Sequence, residues 1–191
     1  NKRKYADPDF KEEDMKISVK LDSKKKTIEV SDTGIGMTAD EIRKYINQIA
    51  FSGAEEFVNK FKDVQSNIIG HFGLGFYSSF MVAEKVTIDS LSCSPGSEAA
   101  GWECDGSTEY VMRAGKRKEI GTTITVHLNE DSHSFAEDGK IRGILEKYCN
   151  FMPWPIMFKD EQVNQKEALW NRKPKDVTEE EYKEFYRKVF H

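Results

Sequence analysis

Two runs of alternating apolar and polar residues near the start of the chain constrain the fold most. Residues 17–21 alternate Ile, Val and Leu with polar side chains, residues 22–26 are polar and basic, and the alternation resumes at Ile28 and Val30. A period of two is typical of a strand with one buried face, so these residues predict a β-hairpin with a solvated turn. Its second strand ends at Asp32, which places an acidic side chain at the end of a sheet.

The sequence Asp-Thr-Gly-Ile-Gly-Met at residues 32–37 continues directly from this hairpin. A carboxylate only accepts hydrogen bonds, so a partly buried Asp32 needs a donor, and the exocyclic amine of a purine is one. Gly34 and Gly36 permit backbone conformations that other residues avoid and let a flat ligand approach the main chain. The same residues are also ordinary turn formers. By itself the stretch fits either of two interpretations, the floor of a ligand-binding site or a simple turn.

A helix is predicted after this stretch, because Thr38 and Glu41 have the spacing of a capping box. Apolar residues then follow at helical spacing: Ile42, Tyr45, Ile46 and Ile49. The pattern becomes irregular over residues 51–69, which are bracketed by glycines. This segment fits either a movable flap or an ordinary surface loop.

Three glycines, Gly70, Gly73 and Gly75, precede an apolar run from Phe76 to Ala83 that predicts about two helical turns. Glycines ahead of a helix leave backbone N–H groups free, and the helix dipole adds positive potential, so phosphate oxygens are a natural occupant. A flexible joint before a buried helix is the alternative. The spacing matches neither a dinucleotide-binding fingerprint nor a P-loop, since no βαβ unit surrounds it and no Gly-Lys-Ser/Thr follows.

The second half of the chain predicts strands without repeating βαβ units. Strands are expected at residues 86–88, at 102–105 paired with 109–113, and at 121–128, with an exposed turn at 90–101. A helix is expected around residues 141–148, and Pro153 and Pro155 restrict a strand near them to a sheet edge. Together these signals predict an α+β fold, a two-layer sandwich of a mostly antiparallel sheet covered by helices.

Charge and cysteine content exclude several classes of function. The formal net charge is −4 with both signs mixed along the chain, which does not suit nucleic-acid binding. The three cysteines, Cys93, Cys104 and Cys149, are widely spaced and suggest neither zinc nor a disulfide framework. The sequence contains no apolar run of about 20 residues and no secretory signal. We therefore expect a cytoplasmic protein with no nucleic-acid or membrane partner.

Composition changes near the end of the chain. Residues 160–176 are charged and aperiodic, as in a linker. Thr178 and Glu181 then form a second capping box, followed by aromatic residues on one helical face. We expect one domain at residues 1–159, a linker at 160–176, and the start of a second domain at 177–191.

Three motifs, in this order, resemble the ATP site of the GHKL superfamily: Asp32-x-Gly34-x-Gly36, Gly70-x-x-Gly73-x-Gly75 and Gly121-Thr122. Residues 49–53, 69–78, 169–170 and 181–186 further resemble the ninety-kilodalton heat-shock chaperones of the bacterial HtpG type. The resemblance covers nearly the whole chain and implies the GHKL, or Bergerat, ATP-binding fold. Residues 1–159 would be a nucleotide-binding domain without its first strand and helix, and residues 177–191 would begin a middle domain.

The resemblance implies a site for ATP or ADP. Asp32 would accept the adenine amine with help from ordered water and the Thr122 hydroxyl, and Met37 would pack against the base. Backbone N–H groups of Gly73, Gly75 and Phe76 would hold the phosphates, and residues 51–75 would form a lid. The implied ATP-binding residues are Asp32, Gly36, Met37, Phe51, Ser52, Gly53, Gly70, Gly73, Gly75, Phe76 and Thr122. Phe51 departs from the pattern, because many family members have a lysine there.

The resemblance also implies slow ATP hydrolysis by a homodimer that acts on client proteins. In the family, a helix ahead of the present first residue carries the catalytic glutamate and the magnesium-binding asparagine, and Glu12 and Glu13 do not match it. We therefore expect no catalytic residue and no metal ligand in this chain, with Mg bound only in the full-length protein. Hydrolysis should be at background and nucleotide affinity reduced.

Two functional hypotheses follow. The first is an ATP-binding module of a stress-response chaperone that couples ATP binding and hydrolysis to protein folding. The second is a non-catalytic fragment that uses the same fold to bind proteins or other ligands. Nucleotide binding that depends on Asp32 discriminates between them.

Overall fold

The computed structural model describes residues 9–46, 75–107, 109–164 and 177–190. Its strands are β1 (Ile17–Asp22), β2 (Thr27–Asp32), β3 (Ala83–Leu91), β4 (Ala100–Cys104), β5 (Val111–Ala114), β6 (Gly121–Leu128), β7 (Ile156–Phe158) and β8 (Glu161–Gln162). They form one sheet in the order β5-β4-β3-β6-β2-β1-β7-β8. Among the described strands only β1 and β7 pair in parallel. The predicted mostly antiparallel sheet is confirmed.

The described helices include α1 (Ala39–Ile46), α2 (Asp138–Tyr148) and α3 (Glu179–Phe190), with 3-10 helices at Glu12–Asp14, Tyr77–Met81 and Glu130–Ala136. Helix α1 begins with the predicted capping box. The Thr38 N–H donates to Glu41 Oε2 at 2.7 Å, and the Glu41 N–H donates to Thr38 Oγ1 at 3.2 Å. Thr178 and Glu181 repeat this arrangement at the start of α3, at 2.8 and 3.2 Å. The spacing of the capping-box residues therefore predicts both helix starts correctly.

One face of the sheet is apolar and carries the helices. Val86 of β3, Val126 of β6 and Ile28 of β2 lie opposite one another, so they point to the same side. Ile42 of α1 packs on the β3 half of this face, and Ile141 of α2 packs on the half around β1 and β7. This arrangement gives the two layers that the alternating sequences predict.

The predicted exposed turn at residues 90–101 is wrong at both ends. Strand β3 continues to Leu91 and β4 begins at Ala100. Ser90 is completely buried, and Ser92 is 6% exposed. The reason is that the inward alternation of β3 continues through these serines, and hydrogen bonds satisfy their hydroxyl groups.

The predicted two-turn helix after Phe76 is also wrong. A 3-10 helix of five residues occupies Tyr77–Met81, and β3 already begins at Ala83. The Phe76 ring packs edge-on against Trp102, with centroids 5.5 Å apart, and against Phe80 at 6.2 Å. The packing of this aromatic cluster against Trp102 of β4 favours a short, tight turn over a longer helix.

The prediction for the proline-containing segment needs one correction. Strand β7 lies next to the edge rather than at it, because the two-residue strand β8 pairs with its outer side. Both prolines precede the strand, so they remove no ladder donor. The Pro155 carbonyl instead accepts the Ile17 N–H at 2.8 Å.

Candidate functional site

Asp32 lies at the end of the sheet, as the sequence predicts. It is the last residue of β2, is half-buried, and is two positions after Val30, so it faces the side that carries the helices. Its Oδ1 accepts the Gly34 N–H at 2.7 Å, which fixes the carboxylate against its own turn. The last pair between β2 and β6 is Ser31 with Thr123, so Thr122 is the next residue of β6 beside Asp32.

The loop at residues 33–37 is fastened to the end of β3. The Cys93 N–H donates to the Ile35 carbonyl at 2.8 Å, and the Met37 N–H donates to Ser90 Oγ at 2.8 Å. Between these bonds Gly36 has φ +64°, and a Cβ atom there would lie 1.8 Å from the Leu91 carbonyl oxygen. Gly36 is therefore required by the close approach of two main chains. Its predicted contact with a ligand stays a prediction.

A buried pair of hydroxyl groups lies beside the carboxylate. Ser90 Oγ is 2.9 Å from Thr122 Oγ1 and 3.2 Å from the Gly121 carbonyl oxygen. Thr122 itself is 7% exposed. Each hydroxyl has one proton to donate, and Ser90 already accepts the Met37 N–H. The Ser90 proton can be donated to the Gly121 carbonyl or to Thr122 Oγ1, and in the second arrangement the Thr122 proton is left for a further acceptor.

The chain resumes after the undescribed residues 47–74 close to where α1 ends. The Tyr77 hydroxyl donates to the Ile46 carbonyl, which joins the last residue of α1 to the 3-10 helix. Burial raises the pKa of Tyr77, and the nearby Cys104 adds to the shift, so this phenol is a neutral donor at physiological pH. This hydrogen bond links Tyr77, shortly after the undescribed segment, to Ile46, the residue directly before it.

The predicted phosphate-binding residues are only partly within the described chain. Gly75 is exposed, and Phe76 is half-buried in the aromatic cluster. The dipole of an α-helix no longer supports the prediction, because a five-residue 3-10 helix follows them. Five predicted site residues lie outside the described residues: Phe51, Ser52, Gly53, Gly70 and Gly73. The contacts of all these residues with a nucleotide stay predictions.

Two residues near the site were missed by the sequence analysis. Ser90 could have been found, because it continues the inward alternation of Val86 and Ile88 into the end of β3. No pattern in the sequence around Arg117 predicts its role, because its guanidinium donates to the carbonyl of Asp32, which lies 85 positions earlier in the chain.

The described part of the chain contains neither a metal cluster nor a membrane-spanning helix. No group of three or more His, Cys, Asp or Glu side chains there has the arrangement of a metal site. No helix in the same part of the chain has the length and apolar character to cross a bilayer.

Comparison with known proteins identifies the class to which this fold and site belong. The family model described as "Histidine kinase-, DNA gyrase B-, and HSP90-like ATPase" matches residues 10–134, which is more than half of the chain. The model described as "Hsp90 protein" matches residues 157–191. The chain therefore belongs to the GHKL ATPase superfamily, in the lineage of the ninety-kilodalton heat-shock chaperones.

Curated relatives at high identity carry the name of one chaperone. The chain is 44% identical over 192 residues to the chaperone protein HtpG of Porphyromonas gingivalis. It is 43% identical over 197 residues to that of Bacteroides fragilis, and 38% identical over 196 residues to that of Pasteurella multocida. These alignments include 93 to 95% of this chain but only 28 to 31% of each relative. The chain thus spans less than a third of the length of these relatives.

Proposed function

We propose that this chain is the adenine-nucleotide-binding part of an HtpG-type chaperone. Membership in the ATPase family supports nucleotide binding in general. The observation that carries the specific proposal is the pairing of two groups at the end of the sheet. Asp32 offers a fixed, half-buried acceptor, and the next residue of β6, Thr122, offers a hydroxyl backed by the buried Ser90.

This pair matches the edge of adenine. The exocyclic amine of adenine is a donor, and the adjacent ring nitrogen is an acceptor. Asp32 would accept from the amine, and Thr122, directly or through a water molecule, would donate to the ring nitrogen. Met37 is half-buried in the core cluster beneath α1, where its thioether would border the base. A guanine, which presents a carbonyl at the position of the amine, would bring two acceptors together at Asp32.

The rest of the proposed function follows the family. Gly73, Gly75 and Phe76 would donate backbone N–H groups to the phosphates, and the residues from Phe51 through Gly70 to Gly75 would close over ATP. In the full-length protein, Mg would accompany the phosphates, and a cytoplasmic homodimer would couple ATP hydrolysis to the folding of client proteins. Residues 1–159 would form the nucleotide domain, 160–176 a linker and 177–191 the start of a middle domain. The expected lack of turnover by this chain stays a prediction that a magnesium-dependent hydrolysis assay tests.

Calorimetric titration with ADP tests the proposal. Asp32→Asn keeps the size of the side chain but turns an amide N–H₂ or a weaker oxygen toward the adenine amine. Loss of a hydrogen bond to a charged acceptor should cost about 1.5 to 3 kcal/mol, which is roughly 10- to 100-fold in Kd. Asp40→Asn is the matched control, because its side chain on α1 is 92% exposed.

Equal ADP affinity in the wild-type chain and in Asp32→Asn would contradict the proposed adenine contact. Absence of nucleotide binding by the folded wild-type chain would favour the second hypothesis, a fragment that binds proteins or other ligands through the same fold.

A further inference from the structure

A polar row of side chains lies on the far face of the sheet, behind Asp32. Ser31 of β2, Thr123 of β6 and Asp89 of β3 lie opposite one another across three strands. Ser31 Oγ and Thr123 Oγ1 are 3.0 Å apart. Because successive residues of a strand point to opposite faces, this row lies on the side away from the Asp32 carboxylate. Groups that bind the row can hold the end of β2 without occupying the nucleotide site.

The loop between β5 and β6 is fastened to this row through Asp89. The Asp89 carboxylate accepts the Lys116 N–H at 2.9 and 3.0 Å and the Arg117 N–H at 3.1 Å. On the other side of the loop, the Gly115 N–H donates to the Ala99 carbonyl at 2.8 Å. Hydrogen bonds to a carboxylate group are stronger than hydrogen bonds between two neutral groups. They fix the point at which the Arg117 side chain leaves the main chain.

The Arg117 guanidinium uses all three of its nitrogens around the end of β2. Nε donates to the Glu119 carbonyl at 2.9 Å, Nη1 donates to Thr123 Oγ1, and Nη2 donates to the Asp32 carbonyl at 2.7 Å. The pairing of β2 with β6 ends one residue earlier, at Ser31. The guanidinium therefore holds the main chain of Asp32 on its β6 side, where the β2–β6 ladder stops, while on its other side Asp32 is paired with Ile17 of β1. A planar fork with fixed donor directions suits this task better than a single ammonium group.

Gly121 leaves the space that this contact needs. Its φ is +131°, and a Cβ atom there would lie 2.2 Å from the Asp32 carbonyl oxygen and 2.7 Å from Arg117 Nη2. The glycine of the Gly-Thr motif thus lets the arginine and the aspartate main chain meet.

We infer that Arg117 is a positioning residue for purine recognition. From the far face of the sheet it holds the main chain of Asp32, so that the carboxylate on the near face meets the exocyclic amine of the base. This inference rests on the proposed function, because it needs Asp32 to be the acceptor of that amine. Since Arg117 acts through Asp32, its loss should weaken the hydrogen bond between the Asp32 carboxylate and the amine. The binding of the remainder of the nucleotide should be weakened less.

Two ligands that differ only in the amine test this inference. ADP carries the amine, and purine riboside 5′-diphosphate lacks it. The ratio of their Kd values in the wild-type chain should be on the order of 10- to 100-fold, as expected for a hydrogen bond to a charged group. In Arg117→Met the ratio should fall about tenfold, because a displacement of the order of 1 Å can remove most of the benefit of a positioned group. Lys118→Met, which removes the same charge from an exposed position in the same loop, should keep the wild-type ratio.

An unchanged ratio in Arg117→Met, with both ligands weakened equally, would overturn the inference and leave Arg117 a purely structural role. A wild-type chain that binds neither ligand, or binds both equally, would contradict the proposed adenine contact. Amide hydrogen exchange separates these failures without any nucleotide. Because the Gly34 N–H donates to Asp32 Oδ1, it should exchange faster in Arg117→Met than in the wild type, relative to amides in the middle of β3. An unchanged Gly34 rate would refute the positioning itself.

Discussion

Replacement of Gly36 by alanine should be far more damaging than the same change at Gly96. Both glycines have positive φ, +64° at Gly36 and +75° at Gly96, so alanine is strained at each. They differ in surroundings. A Cβ atom at Gly96 meets nothing within 4 Å, whereas at Gly36 it would lie 1.8 Å from the Leu91 carbonyl oxygen and 2.5 Å from its carbon.

The size of the stability loss in Gly36→Ala follows from the main-chain segments that must move apart. Ordinary contacts between carbon and a carbonyl oxygen are about 3.3 to 3.6 Å, so the loop and the end of β3 must separate by about 1.5 Å. That movement breaks the hydrogen bonds from Met37 to Ser90 and from Cys93 to Ile35, both 2.8 Å long. Each bond contributes about 0.5 to 1.5 kcal/mol, and a buried group left unpaired costs about 1 to 3 kcal/mol more. We expect Gly36→Ala to lower the free energy of unfolding by at least about 2 kcal/mol more than Gly96→Ala.

Urea unfolding followed by circular dichroism measures this difference. With a denaturant slope of about 1 to 3 kcal/mol/M, the two midpoints should differ by about 1 M. Failure of Gly36→Ala to fold while Gly96→Ala folds would agree with a cost near the whole stability of the domain. Midpoints that coincide would refute the claim that the loop is held against β3 at this glycine.

Two further changes test the buried polar groups. Ser90→Ala should lose about 1 to 3 kcal/mol in urea unfolding, because the Met37 N–H loses its buried acceptor. Ser134→Ala, whose exposed hydroxyl accepts from the exposed Lys140 ammonium, should stay within about 0.5 kcal/mol of the wild type, and equal losses would contradict this. Burial lowers the pKa of His127 below 6.5, so the unfolded chain takes up a proton first and stability falls as pH drops from 6.5 toward the folded pKa. Urea midpoints at pH 7.5 and 5.5 should therefore change less in His127→Asn than in the wild type or in His133→Asn, and parallel changes would rule this out.

The parts of the fold that could be predicted from sequence depend on local signals. The hairpin of β1 and β2 follows from a period of two, and its register pairs Val19 with Val30 as that period requires. The capping boxes at Thr38 and Thr178 depend on residues three positions apart. The position of Asp32 follows from both signals, since a strand ends there and the turn to α1 begins.

The parts that could not be predicted depend on contacts between distant residues. Strand β6 lies between β3 and β2, and β7 pairs with β1 in parallel, and no local pattern specifies either choice. Ser90 and Met37 are 53 positions apart, and Arg117 and Asp32 are 85 apart. Sequence patterns indicate which residues can donate or accept. The assembled sheet determines which of them meet.

The packing of aromatic side chains likewise decides the segment after Gly75. An apolar run gives no sign of whether it will continue as a helix or turn into a strand, because both bury apolar residues. Here the contact of Phe76 with Trp102 of β4 ends the turn early, and β3 begins at Ala83.

The most direct test of the account is a structure of this chain with ADP bound. The adenine amine should lie about 2.7 to 3.2 Å from a carboxylate oxygen of Asp32, with the Thr122 hydroxyl on the adjacent ring nitrogen, directly or through one water molecule. A purine bound elsewhere on the chain, or one whose amine faces solvent and does not contact the Asp32 carboxylate, would contradict the account.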